Sequence, residues 1–163
     1  MVIGGQAVLL YGTPRLTRDI DITLGVDTDY FFSIEKICKR LRFKILPRDP
    51  QHFTRETKVL PAEETRSKIR VDFIFSFTPY ERQAMKRIKK VWIKSYPVKF
   101  ASPEDVIIHK VFAGRPVDLE DVKNILLKLK ARLDMTYIKR WLSKFGESGR
   151  KNLLGNFNRL LKR

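Results

Sequence analysis

The sequence predicts a mixed α/β fold, a small mixed β-sheet flanked by helices and followed by a helical C-terminal segment, and three observations carry that expectation. Asp19-Ile20-Asp21-Ile22 alternates acid with β-branched residue, the period of a half-buried strand. Ile69-Arg70-Val71-Asp72-Phe73-Ile74-Phe75 repeats the alternation over a longer run. After Ser102-Pro103 the apolar residues Ile107, Ile108, Val111 and Phe112 fall at helical spacing instead. A chain of 163 residues holds one compact domain, or a core with a small helical appendage, but not two full domains. The boundary is set near Phe100, with residues 1–100 as the core and residues 101–163 as a helical segment packed on it.

Each element has its own signal. Gln6 to Tyr11 makes a short helix that Gly12-Thr13-Pro14 stops. Asp19 to Leu24 is a strand, and Asp27 or Thr28 caps a helix running to about Leu41. Phe43 to Leu46 reads as a short strand and His52 to Leu60 as a weaker one, punctuated by Pro47, Pro50 and Pro61 in the manner of a sheet edge. Lys68 to Phe77 is the clearest strand, with Val71, Phe73, Phe75 and Phe77 on one face and Asp72, Ile74 and Ser76 on the other. A basic helix follows Pro79 from Tyr80 to Ile88, then a strand pair, Val91 to Lys94 and Pro97 to Phe100. Ser102 caps a helix with Pro103 at its first position, and Gly114 ends it. Asp118 opens the next, and Met135 to Phe145 and Asn152 to Leu161 form two more amphipathic helices.

Composition excludes several classes of protein. No apolar run is long enough to span a bilayer, and no leader or lipidation motif is visible, so a cytoplasmic location is expected. Cys38 is the single cysteine, so it forms no internal disulfide; its spacing with Ile34, Ile37 and Leu41 makes it an inert core thiol. His52 and His109 lack metal-ligand spacing with it and have no nucleophile partner. The formal charge of +16, from 34 Lys and Arg against 18 Asp and Glu, concentrates polyanions at the surface and points to RNA or nucleotides. A generally Lys/Arg-rich, solvated surface is the plainer reading of the same number.

Against this basic background the acids stand out. In a strand, Asp19 and Asp21 project from one face while Ile20 and Ile22 enter the core, and a second strand carrying Asp72 can place a third carboxylate beside them. Three grouped carboxylates repel one another unless Mg²⁺, Mn²⁺ or protons neutralise them, so Asp19, Asp21 and Asp72 are the candidate metal ligands. Gly4-Gly5, ahead of a helix, lets backbone N–H groups approach a phosphate closely.

The run from Ile3 through Gly4-Gly5 to Asp19-Ile20-Asp21-Ile22 resembles the signature of the DNA polymerase β-like nucleotidyltransferase superfamily: a hydrophobic residue, Gly-Gly or Gly-Ser, a spacer, then Asp-x-Asp. Two later segments resemble its branch of AbiEii-type toxins from type IV toxin–antitoxin systems. Asp105-Val-Ile-Ile-His-Lys110-Val-Phe-Ala113 is similar to an acidic-x4-Lys-x2-Ala motif, and Arg115-Pro-Val-Asp118-Leu-Glu-Asp121 to an Arg-x-x-Asp-x-x-Asp motif. The four motifs occur in order and span Gly4 to Asp121. In that family Val2-Ile3 corresponds to the end of a first strand normally preceded by a helix, so the chain looks shortened at its start.

The resemblance implies a nucleotidyltransferase catalytic core in residues 1–100. It implies Mg²⁺-dependent transfer of a nucleoside monophosphate from an NTP to an acceptor hydroxyl, with Asp19 and Asp21 on the metals and Asp72 also guiding the acceptor's proton. Gly4, Gly5, Arg15, Thr17, Lys110, Arg115, Asp118 and Asp121 are the expected nucleotide-binding residues. Arg15 reads equally as a loop brace, Lys110 has a snorkelling-surface alternative, and Asp118 has a helix-cap alternative. The implied acceptor is RNA, tRNA first, or a protein, with an antitoxin as a further partner. The rival is a nucleic-acid-binding module that kept the fold and lost activity; the intact Asp19, Asp21 and Asp72 argue against it.

Overall fold

A computed structural model describes residues 1–149 and 152–162. The chain divides into two compact units, one of residues 1–6 and 16–100, the other of residues 7–15 with the described residues from 101 on. Helix α1 (Gly4–Tyr11) begins in the first unit and ends in the second.

In the first unit, strand β1 (Asp19–Thr23) leads to helix α2 (Phe31–Arg40), strand β2 (Phe43–Ile45), helix α3 (Pro50–Thr57), and strands β3 (Val59–Glu64) and β4 (Arg70–Ile74). Among the described residues these strands form a four-stranded sheet in the order β1-β4-β3-β2, with β1 parallel to β4 and the other pairs antiparallel. Alternation decides which side is wet. Leu60, Ala62, Val71 and Phe73 turn to one face and are buried with Phe31 and Cys38 of α2, while Ile20, Ile22, Phe43 and Ile45 pack against that cluster. The opposite face is left to Asp19, Asp21 and Asp72.

Helix α4 (Pro79–Lys86) then precedes a hairpin of β5 (Lys89–Ile93) and β6 (Tyr96–Phe100). Val2 sews this hairpin to the sheet: it bridges antiparallel to Ile22 and parallel to Phe100, and its N–H donates to the Lys99 carbonyl at 2.7 Å. Val2, the residue expected at a strand end, is thus a one-residue strand between β6 and β1.

One expected element is corrected. His52 to Leu60 is not a strand: Asp49 accepts a hydrogen bond from the His52 N–H, Pro50 occupies the first turn, and the segment winds into α3 until Lys58 turns left-handed (φ 60°). The strand starts only at Val59 and passes through Pro61. Pro50 is therefore not the break at a sheet edge but the first residue of a helix that Asp49 caps.

The second unit is helical. Ser102 caps helix α5 (Pro103–Ala113) and Gly114 closes it at φ 69°. Helix α6 (Pro116–Leu129) starts at Pro116, two residues ahead of Asp118, because Arg115 holds the extended cap position and proline suits the first turn. Helices α7 (Met135–Glu147) and α8 (Leu153–Leu161) complete the unit, and α5 packs against α6, α7 and α8. Val106, Ile107, Val111, Val122, Ile125, Ile138, Leu142 and Phe157 are fully buried among these helices. No helix among the described residues is long and apolar enough to cross a membrane.

Candidate active site

Strand register builds the acidic group. Because β1 and β4 run parallel with Asp21 opposite Asp72 and Asp19 opposite Arg70, all four side chains leave the same face of the sheet. One carboxylate oxygen from each of Asp19, Asp21 and Asp72 lies within 4.8 Å of the other two, and all three residues are half-buried. Gly4 seats itself against this group. Its φ is 63°, and a β-carbon there would fall on the Asp21 carboxylate, so only glycine fits both the backbone and the space. The Ile3 N–H donates to the Asp21 carbonyl at 2.9 Å and holds the turn on β1. Gly5 is buried in the first turn of α1, and the Thr17 hydroxyl accepts from the Gln6 amide at 2.7 Å, tying the approach to β1 onto that same turn.

Arg70 is the residue the sequence reading passed over. It stands two positions before Asp72 and donates to both its oxygens, at 2.9 and 3.2 Å. The Asp72 bond raises the guanidinium's already high pKa, opposed by desolvation, and the charges of Asp72, Asp19 and Asp21 add to the rise. Its side chain remains half-exposed. The signal was legible: residues i and i+2 of a strand share a face. Arg70 and Pro61, the cross-strand neighbour of Asp72, also line an open cavity of about 540 Å³ with Leu46, Arg48, His52 and Phe53.

The remaining expected site residues gather in the second unit. The Lys110 ammonium donates to Asp118 at 2.7 Å and lies 3.0 Å from Asp121, with only 6 % of its side chain exposed. Arg115 grips Asp118 at 2.6 and 3.1 Å, and Arg15 grips Asp121 at 2.9 Å through two bonds. Burial raises the pKa of Asp118, but the bonds and charges of Arg115 and Lys110 outweigh it and hold the carboxyl below its usual range. Asp121 follows the same balance, with Arg15 and Lys110 as its cations. Asp105, first residue of the acidic-x4-Lys motif, is fully buried and accepts from Ser102 at 2.7 Å and Tyr137 at 2.8 Å. Cys38 is fully buried as expected, and burial with the nearby Glu35 pushes its thiol up to about 11.

The chemistry of the first group suits a hard cation: three carboxylates offering oxygen donors at this spacing fit Mg²⁺ or Mn²⁺. A protein-family model described as nucleotidyltransferase of unknown function (DUF6036) matches residues 1–151. The chain belongs to this family. The nucleotidyltransferase is similar in structure to the antibiotic-resistance factor ANT(2'')-Ia, with a TM-score of 0.60 and 17 % identity over 91 % of this chain and 84 % of that one. It is similar to an antigenic nucleotidyltransferase-like protein from Paracoccidioides brasiliensis, with a TM-score of 0.54 and 15 % identity over 95 % and 83 % of the two chains. A lincosamide antibiotic adenylyltransferase, LnuA, solved with lincomycin bound, aligns with a TM-score of 0.51 and 16 % identity over 76 % and 83 %. At these identities the likenesses establish the polymerase β-like nucleotidyltransferase fold. No curated protein matches the sequence.

Proposed function

We propose that this nucleotidyltransferase moves a nucleoside monophosphate from an NTP to an acceptor hydroxyl on RNA, with tRNA as the leading candidate, and that it belongs to the AbiEii-like branch and works as a toxin restrained by an antitoxin. The observation that carries the transfer reaction is the convergence of Asp19, Asp21 and Asp72 on one sheet face. The high positive charge supports a polyanionic acceptor. The order of the later motifs, Asp105 to Ala113 and Arg115 to Asp121, supports the branch.

Asp19, Asp21 and Asp72 would hold Mg²⁺ or Mn²⁺, which neutralises triphosphate charge and so eases departure of pyrophosphate. Gly4 and Gly5 admit the phosphates to the first turn of α1, where backbone N–H groups meet them without a β-carbon in the way. Asp72 takes the acceptor hydroxyl's proton while that oxygen bonds to the α-phosphorus and the bond to pyrophosphate breaks. Arg70, half-exposed, exchanges Asp72 for a phosphate oxygen as the site fills. Lys110, Arg15, Arg115, Asp118 and Asp121 hold the helical unit in shape, and a nucleotide-binding role for Lys110 requires that it first leave its two carboxylates.

A small-molecule acceptor is the second reading, supported by the likeness to ANT(2'')-Ia and LnuA and by the open cavity beside Arg70 and Pro61. Incubation with each α-phosphate-radiolabelled NTP, Mg²⁺ and total RNA is expected to label RNA, and Asp72→Ala to lower the rate by about 10²-fold while NTP binding persists. Label appearing only on a small molecule would replace the RNA reading. Full activity in Asp72→Ala would remove that residue from the mechanism.

A further inference from the structure

The β5–β6 hairpin combines three features that the transfer chemistry leaves unused. First, it is charged with one sign: between Glu81 and Glu104 the chain carries seven Lys and Arg and no acidic residue. Lys90 and Lys99 stand directly opposite each other across the two strands, a like-charge pair that weakens a hairpin. Second, Trp92 is 69 % exposed and Tyr96 74 % exposed, large aromatic surfaces left in water at the hairpin tip. Third, the pairing fixes which way these side chains face. Bridged residues point to the same side of a sheet, so Phe100, Val2 and Ile22 share the core face. Lys99 and Pro97 therefore turn to the opposite face, with their partners Lys90 and Trp92. That is the face from which Asp19 and Asp21 project.

We infer that this face of the hairpin, Trp92 with Lys90 and Lys99, is the binding surface for the single-stranded segment of the RNA acceptor. A base stacks on the Trp92 indole, and the two lysines take the phosphates on either side of it. Only the Val2 bridge separates β6 from β1, so at the spacing of paired strands Lys99 lies about 10 Å from the strand of Asp19 and Asp21, and Lys90 and Trp92 on β5 lie one strand further, about 15 Å away. A strand held there passes its terminal hydroxyl toward Asp72. The rival cations on α7 are partly engaged already: Arg140 lies 5.7 Å from the Tyr137 and Trp141 rings, and Lys144 lies 5.1 Å from Trp141. The surface takes its role from the RNA-acceptor reading above, and the experiment separates the two.

The test titrates the full chain with a single-stranded oligouridylate and follows tryptophan fluorescence. Trp92 and Trp141 are the two tryptophans, and Trp141 is buried. Quenching is expected, absent in Trp92→Phe, which also serves as the variant that keeps a ring and the fold. Trp92→Ala should weaken oligonucleotide binding about tenfold. Lys90→Glu with Lys99→Glu should flatten the dependence of affinity on salt by about one to two counterions, leaving NTP affinity unchanged. Unchanged RNA affinity in Trp92→Ala would overturn the assignment. So would a concentration-dependent dimer that Trp92→Ala abolishes, which would make the patch a contact between copies. RNA labelled by Trp92→Ala at wild-type KM would sink the hairpin and spare RNA as acceptor; quenching with no RNA ever labelled would do the reverse.

Discussion

The protein holds two groups of aspartates that sequence motifs present alike and that physics separates. In the helical unit, Asp118 and Asp121 are almost completely buried and answered by Lys110, Arg115 and Arg15 at 2.6 to 3.1 Å, so each oxygen has a cation. In the sheet unit, Asp19, Asp21 and Asp72 crowd within 4.8 Å, half-buried, with Arg70 as the guanidinium on Asp72. Acids matched to cations inside a protein hold one arrangement, because removing either partner strands a buried charge, whereas carboxylates gathered within a few ångströms repel one another and are drawn together by a bound cation. On the reading proposed above, the first arrangement serves folding and the second serves chemistry.

The contrast can be broken most sharply at the sheet. Asp19→Asn with Asp21→Asn keeps side-chain size and removes two of the repelling charges. Transfer activity should fall by about 10³-fold or more while thermal stability holds or rises. Activity near wild type would end the catalytic reading of the group, and a collapsed melting temperature would make it structural.

At the helices the opposite is expected. Asp118→Ala leaves Lys110 buried beside one carboxylate instead of two and should cost about 3 kcal/mol of stability, read from chemical denaturation. Asp118→Asn, which retains acceptor and donor atoms, should cost less. A loss of activity without loss of stability would reverse the assignment and bring Lys110 to the nucleotide.

The gentlest probe is pH. Asp118 and Asp121 titrate below their ordinary range when folded, because their cations outweigh the effect of burial. A depressed folded pKa means the unfolded chain binds protons first, so the stabilisation is present above the ordinary carboxylate value of about 4 and is lost as pH falls through the lower folded value. The melting temperature of the wild type should drop through that window, and that of Asp121→Asn should drop less. Parallel curves would show that other carboxylates govern acid unfolding.

Sequence reasoning worked best where local pattern and chemistry coincide. Asp19 and Asp21 share a strand, so their common face follows from residue parity alone; the same holds for Ser102-Pro103 as a helix start and Gly114 as its end. It went astray at His52 to Leu60, where Pro50 reads as the punctuation of a sheet edge but follows Asp49 as the first residue of a helix. It passed over Arg70 because a basic residue on a basic chain carries little signal without its neighbours.

What alternation, caps and spacing settled was local: which segments are strands or helices, which residues share a face, and which acids are too many for their surroundings. Pairing decided the rest. The parallel register that sets Asp72 opposite Asp21 and Arg70 opposite Asp19 joins segments some fifty residues apart, and a slip of one position would have turned Asp72 into the core. The burial of Lys110 is of the same kind: an ammonium on an apolar helix is either snorkelling or paired, and only the packing of α5 against α6 supplied Asp118 and Asp121 to pair it. Contacts between distant segments carry no local signature, because any strand edge or helix face offers many partners and the choice among them is made by packing the whole chain at once.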